Sequence, residues 1–342
     1  MTDPRILGIE SSCDETAAAV VQGRAILSSV IASQADIHRE FGGVVPELAA
    51  RHHIERIDAV TELALARANT TLEQIDAVAV TYGPGLVGPL LVGLQFAKAL
   101  AWARRVPLLA VNHLEGHLRS VWLEHGEVPT PAVSLLASGG HTALYLSPDD
   151  ERIVPIARTR DDAAGEAFDK VAKMLGLGYP GGPVIDRLAP GGDPRAVTLA
   201  APKMSDGSLD LSFSGFKTAV LRHAQARGLK RAFPAEGDPG PATRDLLASF
   251  QASVVEFLVS RLAEVARREG ARSVCLSGGV ACNSLLRRRV AEEAAVNGWG
   301  CFAVSRALAV DNAAMIADVG GRLLRRGAIA GLSQNAEPGL EL

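Results

Sequence analysis

The chain has 342 residues, enough for about two ordinary domains with cores of their own. Hydrophobic residues make up 48% and charged residues 21%, which excludes a disordered chain, and a net charge of −3 excludes a protein that coats nucleic acid by bulk charge. A nucleic-acid partner would need a local basic patch or a helper protein. The four cysteines, Cys13, Cys275, Cys282 and Cys301, show neither paired metal spacing nor a dense secreted framework, so a reducing compartment and a cytoplasmic location are expected. Asp3, Arg5 and Glu10 leave no room for a signal peptide.

Taken in order, Ile6 to Ile9 is apolar, Glu10 to Thr16 polar and Ala17 to Val21 apolar again, which predicts strand, functional turn, strand. Glu10, Asp14 and Glu15 crowd that turn. They fit solvated acids or a helix cap, and equally a general base or a metal- or phosphate-positioning group. Ser11 and Ser12 lack the nucleophile elbow of a serine hydrolase. Glu47 to Ala68 carries apolar residues at helical spacing. Ala77 to Ala97 runs 21 residues without a charge, the length of a membrane span. Gly83, Pro84, Gly85, Gly88, Pro89 and Gly93 interrupt it, so it reads as buried strand, glycine loop and buried helix start, with no membrane role.

Pro107 to Val111 then leads into Asn112-His113-Leu114-Glu115-Gly116-His117. On a helix, His113 and His117 share a face with Cβ atoms about 5–6 Å apart, close enough for both to bind one metal ion. The stretch resembles the zinc-protease pattern, in which Glu follows the first His directly and acts as general base. Here the acid comes one place later. At about 100° per residue, Glu115 lies about 200° round from His113, away from any ion the pair holds.

The strand–turn–strand pattern returns at Ala132 to Ala137, Ser138-Gly139-Gly140-His141-Thr142 and Ala143 to Leu146, which predicts two similar lobes, each offering a loop to one cleft. Asp162 to Leu175 predicts a helix closed by Gly176, Tyr179 to Pro183 a forced turn, and Val184 the start of a short helix. Ala189 to Ser214 and Leu229 to Pro241 read as loops. Ala242 to Arg268 is a long helical pattern open to interruption. Ser273 to Ser277 predicts a strand, Gly278-Gly279 a turn, Asn283 to Asn297 a helix, and Asp311 the N-cap of a helix over Ala313 to Leu324. Strands alternating with helices give an α/β fold.

Glycine loops follow strands at Gly83 to Gly88, Ser138 to Gly140 and Ser277 to Gly279, and glycine lets backbone N–H groups approach a phosphate or carboxylate. Neither the P-loop pattern nor the dinucleotide spacing is present. Asp311 is the leading third ligand for the histidine pair. Arg287-Arg288-Arg289, Lys230-Arg231 and Arg325-Arg326 suit either nucleic-acid phosphates or solvated helix faces.

Read together, these stretches resemble one family across nearly the whole chain, the tRNA N6-adenosine threonylcarbamoyltransferases. The matching residues are Gly8 to Thr16, Gly42 to Glu47, Gly83 to Gly88, Asn112 to His117, Ser138 to Thr142, Asp161 to Lys170, Tyr179 to Pro183, Phe213 to Thr218, Gly278 to Asn283 and Asp311 to Ala314. The resemblance implies an actin/Hsp70/sugar-kinase type of fold, two lobes on duplicated ribonuclease-H-like sheets with a central cleft. Residues 1–131 with about 306–335 would form the N-terminal lobe, and 132–305 the C-terminal lobe.

It also implies transfer of a threonylcarbamoyl group from L-threonylcarbamoyl-adenylate to the adenosine beside the tRNA anticodon, with release of AMP. His113, His117 and Asp311 then correspond to ligands of one divalent metal per subunit, iron(II) foremost and zinc(II) second. Leu136, Ala137, Ser138, Gly139, Gly140, Asp169, Gly182, Asp186 and Asn283 correspond to substrate-binding positions, and Asp14 or Glu15 is a candidate proton acceptor. Expected partners are tRNA, an inactive homologue and a small ATPase. The sequence departs from relatives at Ala137, where Val is common, and at Pro89, where a small residue is usual. Leu136 stands where archaeal and eukaryotic relatives place a ligating Tyr, which favours a bacterial-type site with three protein ligands. The competing readings are a zinc metalloprotease and an ATPase or kinase on the same fold.

Overall fold

Two five-stranded mixed sheets organise the computed structural model, which describes residues 3–202, 204–230 and 237–342. Arg231 and the middle of the 229–241 loop lie outside the described residues. The chain divides into unit 1, Met1–Ile37, Val44–Gly126 and Val310–Leu342, and unit 2, His38–Gly43 and Glu127–Ala309.

Unit 1 starts with β1 (Arg5–Glu10), β2 (Glu15–Gln22) and β3 (Ala25–Ser33), an antiparallel meander. After α1 (Ala35–His38), which runs across the boundary, come α2 (Pro46–Arg67), β4 (Ala77–Gly83), α3 (Val87–Arg104), β5 (Leu108–Asn112) and α4 (His113–His125). β4 lies parallel to β1 and to β5, giving the order β3-β2-β1-β4-β5. The charge-free stretch from Ala77 to Ala97 is thus β4, a glycine loop and the start of α3. Pro89 sits in the first turn of α3, where its missing N–H costs nothing.

Unit 2 contains β6 (Ala132–Ala137), β7 (Thr142–Ser147), β8 (Val154–Arg158), α5 (Ala164–Met174), α6 (Gly181–Leu188), α7 (Ser214–Ala226) and α8 (Pro241–Arg268). It continues with β9 (Ser273–Ser277), α9 (Ser284–Asn297), β10 (Gly300–Ala303) and α10 (Arg306–Ala309). Its sheet order, β8-β7-β6-β9-β10, repeats that of unit 1 strand for strand, with the same antiparallel meander and the same two parallel neighbours. Two expectations need correction. The helix expected from Val184 begins at Gly181, because Pro183 in a first turn needs no N–H partner. The pattern over 242–268 is one unbroken helix, started by Pro241. α8 is long and apolar enough to cross a membrane, yet 72% of its apolar stretch is buried in unit 2. There Phe250 packs edge-on to Phe168, and Phe257 to Phe213 and Phe216.

The last helix, α11 (Ala313–Arg325), returns to unit 1 and is buried from Ala313 through Gly321. It sits unusually close to its neighbours for a definable reason. A Cβ on Gly8 of β1 would collide with the Ala313 carbonyl, and one on Gly116 of α4 would press on Ile316 and Met315 at 3.1 Å. These two glycines bring the start of α11 to the end of β1 and to the first turns of α4. The cap of α11 is Asn312, whose Oδ1 accepts from the Met315 N–H at 3.0 Å. Asp311, expected as the cap, stands one place earlier, and its carboxylate is left for another task.

Candidate metal centre and glycine turn

α4 owes its position to Asn112, the last residue of β5, whose Oδ1 accepts from the N–H groups of Leu114 at 2.8 Å and Glu115 at 3.4 Å. His113 and His117 are both buried and face each other edge-on, with ring centroids 4.7 Å apart. Asp311 meets both rings: its Oδ1 lies 3.0 Å from His117 Nε2 and 3.5 Å from His113 Nε2. The candidate ligand atoms of the three side chains all lie within 4.8 Å of one another. A tetrahedral ion with bonds of about 2.0–2.1 Å holds neighbouring donors about 3.3 Å apart, a spacing that the two Asp311 contacts bracket, so the triad suits a cation once the two rings close on it. Glu115 takes no part in this cluster; its carboxylate points to Arg119 at 3.8 Å.

The charges agree with the geometry. Burial by itself would lower the His113 pKa, but the carboxylates of Glu10 and Asp311 outweigh it and hold the imidazole well above its ordinary value. Burial opposes ionisation of Asp311, yet the two histidines hold its carboxyl well below the usual range. Glu10, against the same burial, is held down by His113 and Thr81. The cluster is built to carry positive charge among buried carboxylates. In the acidic turn, Glu15 is pushed well up, first by burial and then by the negative charges of Asp14 and Asp311, and it accepts from Ser33 Oγ at 3.0 Å. Burial likewise raises the Cys13 thiol well above its ordinary value, with help from Asp14 and Asp311, so it is no reactive thiolate.

In unit 2, Ser138 closes the turn after β6: its N–H donates to the His141 carbonyl at 2.8 Å, and its Oγ accepts from the His141 N–H at 3.1 Å. Gly139 and Gly140 are exposed, neither has a left-handed φ, and a Cβ on either would meet nothing within 4 Å. Neither backbone conformation nor packing requires glycine there. Gly278 is a different case, since it needs φ +84° and a Cβ would collide with the Ala137 carbonyl. The Gly83 to Gly88 loop is spent internally, with Gly85 N–H donating to Pro338 and Leu86 N–H to Ser12.

The side chains of Leu136 and Ala137 are buried in β6, leaving only their backbone to act. Asp169 Oδ1 accepts from Gly181 N–H at 2.6 Å, while Gly182 beside it has open space around its Cα. Asp186 accepts from Ser284 N–H at 3.2 Å and Oγ at 2.8 Å. Asn283 caps α9 through Leu286 N–H at 2.9 Å and donates to Gln251 at 3.0 Å. Gly165 packs on Ser138 and Gly139, and Gly181 on Asp169, so the turn and the starts of α5 and α6 form one contiguous region. The arginine run is largely occupied within unit 2: Arg287 donates to the carbonyls of Ala281 and Val304, and Arg289 pairs with Glu256 and Glu292.

Sequence reading left Glu10 with Asp14 and Glu15 as a general base or a metal- or phosphate-positioning group, and did not find its partner. Its carboxylate is wholly buried behind His113, 2.9 Å from Nδ1. An acid ending a strand that is otherwise apolar was the available signal.

A family model described as tRNA N6-adenosine threonylcarbamoyltransferase matches residues 25–318. A protein of that name from Geobacter metallireducens is 52% identical over 332 residues, covering 97% of this chain and 95% of the relative. Among solved structures, component A of the Acidaminococcus fermentans (R)-2-hydroxyglutaryl-CoA dehydratase superposes with a TM-score of 0.55 at 14% identity, covering 93% of this chain and 98% of that one. HypF from T. kodakarensis gives 0.63 at 14% identity, covering 95% of this chain and 48% of its own. With the repeated sheets, these likenesses show the actin/Hsp70/sugar-kinase type of fold.

Proposed function

Because the chain belongs to the tRNA N6-adenosine threonylcarbamoyltransferase family, we propose that it transfers the threonylcarbamoyl group of L-threonylcarbamoyl-adenylate to N6 of the adenosine beside the tRNA anticodon. In that reaction the N6 amine forms a bond to the carbamoyl carbon, the bond from that carbon to the phosphate oxygen breaks, and AMP leaves with the electron pair. The amine gives up a proton. Asp14 or Glu15 is the acceptor in this reading, and the raised carboxyl of Glu15 supports it as a base whose affinity for a proton suits the task.

The observation that carries the reading is the convergence of His113, His117 and Asp311. Two imidazoles and one carboxylate with open positions suit iron(II), with zinc(II) as the alternative. A bound ion would supply Lewis acidity toward the carbamoyl oxygen. The protein's own part is to hold the adenylate. The backbone N–H groups of Gly139 and Gly140 take its phosphate, with Gly182, Asp169, Asp186 and Asn283 around it and the backbone of Leu136, Ala137 and Ser138 beneath. tRNA is the second substrate. An inactive homologue and a small ATPase assist it in the cytoplasm in this reading, which fits a chain whose net charge of −3 gives it no bulk attraction for tRNA. Incubating the protein with unmodified tRNA, threonylcarbamoyl-adenylate and those partners, then analysing nucleosides by mass spectrometry, tests the proposal. Threonylcarbamoyladenosine should form with wild type and not with His117→Ala. Peptide cleavage lost in Glu115→Gln would instead favour the protease, but the turn of Glu115 toward Arg119 argues against it.

A further inference from the structure

We infer that Glu10 is a positioning residue for the metal centre, holding His113 in the tautomer that keeps Nε2 open for an ion. The inference rests on the metal reading of the triad. Glu10 ends β1 at the middle of the sheet and is 0% exposed. Its Oε1 accepts from Ser12 N–H at 2.5 Å, and its Oε2 accepts from Thr81 Oγ1 at 2.6 Å and from His113 Nδ1 at 2.9 Å. Ser12 Oγ stands 3.3 Å from the same Nδ1, farther than the carboxylate. A buried carboxylate is costly unless donors surround it, and here three of them do.

An imidazole that donates from Nδ1 to a carboxylate carries its lone pair on Nε2, the atom that faces Asp311. The second histidine has no such support. His117 Nδ1 is buried and has no hydrogen-bond partner among the described residues. The orientation of the pair is therefore set through His113, and through it by β1, the central strand of unit 1.

Glutamine at position 10 separates this role from simple packing. If its amide N–H faces His113, the ring must accept at Nδ1 and carry its proton on Nε2, closing the atom the ion needs. If its oxygen faces His113, the amide N–H meets the Ser12 N–H, donor against donor. The size is kept, and the tautomer control is either lost or held only against the donor–donor clash with Ser12.

The test uses full-length protein freed of metal, with zinc ions alone as the probe, titrated against a chromophoric chelator, and cobalt(II) absorption as the report on geometry. Wild type should bind one zinc, and His117→Ala should lose it. Glu10→Gln should bind about 10–100-fold more weakly and give a weakened or altered tetrahedral cobalt spectrum, while its metal-free melting curve stays cooperative. Should Glu10→Gln fail to fold, long-range proton–nitrogen NMR of zinc-loaded wild type decides the matter: His113 should be protonated on Nδ1. Glu10→Gln with wild-type zinc affinity, or His113 protonated on Nε2, overturns the role of Glu10. A wild type that takes up no zinc, or a His117→Ala variant that takes up as much, overturns the metal reading instead.

Discussion

The sheets of units 1 and 2 share one strand order and one pattern of directions, yet the turns that follow their first strands have opposite chemistry. After β1 come Glu10, Asp14 and Glu15, and the buried carboxylate of Glu10 faces a histidine. After β6 come Ser138, Gly139 and Gly140, with no acid and with exposed backbone. One scaffold was used twice, and the difference lies in a few residues at equivalent turns: acids and a buried carboxylate beside a histidine in the first, exposed glycines in the second. Position in such a fold says where chemistry sits, and side-chain charge says which chemistry it is.

Removing a ligand from the metal triad of unit 1 should have the largest effect. His117→Ala is expected to lower transfer by more than the about 100-fold typical of a supporting residue, and to lose metal in a direct metal assay. Chelating wild type comes next: at zinc near 100 times Kd the ion should contribute about 2.7 kcal/mol, visible as a fall in melting temperature on chelation and absent from His117→Ala. In the second region, Gly139→Val should weaken adenylate binding at least about tenfold, or about 1.4 kcal/mol, by calorimetry. Stability should stay within about 0.5 kcal/mol, because a Cβ there meets nothing within 4 Å, and zinc binding should not change. If Gly139→Val binds adenylate like wild type, the two turns do not divide the work in this way. Asn312→Ala should cost about 1 kcal/mol in urea unfolding, the worth of a lost cap, since Asn312 and not Asp311 caps α11. Glu115→Gln should leave metal content and transfer within about twofold of wild type.

Much of this was legible in sequence where periodicity is local. The repeated strand–turn–strand, the helix carrying His113 and His117 and the buried nature of 77–97 follow from spacing over a few residues. The cap of α11 was misread because Asp311 and Asn312 are both good caps, and only backbone geometry decides between neighbours. The grip of Glu10 on His113 joins residues 103 apart, and that of His117 on Asp311 joins residues 194 apart. No local pattern encodes such pairs. The arginine run was left open between nucleic-acid phosphates and a solvated helix face because sequence shows charge and hides partners; Glu256, which occupies Arg289, lies on another helix. The close packing of α11 was hidden for a similar reason, since Gly8 and Gly116 lie within local strand and helix patterns that do not show them to be points of approach.

Unit 1 is interrupted by the whole of residues 127–309 before α11 returns to it. A ribosome adding about 5–20 residues per second would take roughly ten to forty seconds over that insertion. His113 and His117 thus emerge long before the carboxylate that completes their triad. During that interval the nascent amino-terminal sheet lacks the helix that covers Gly8, and unit 2 has time to fold first. Loading of an ion would then mark the moment at which the segments on either side of that insertion have found each other.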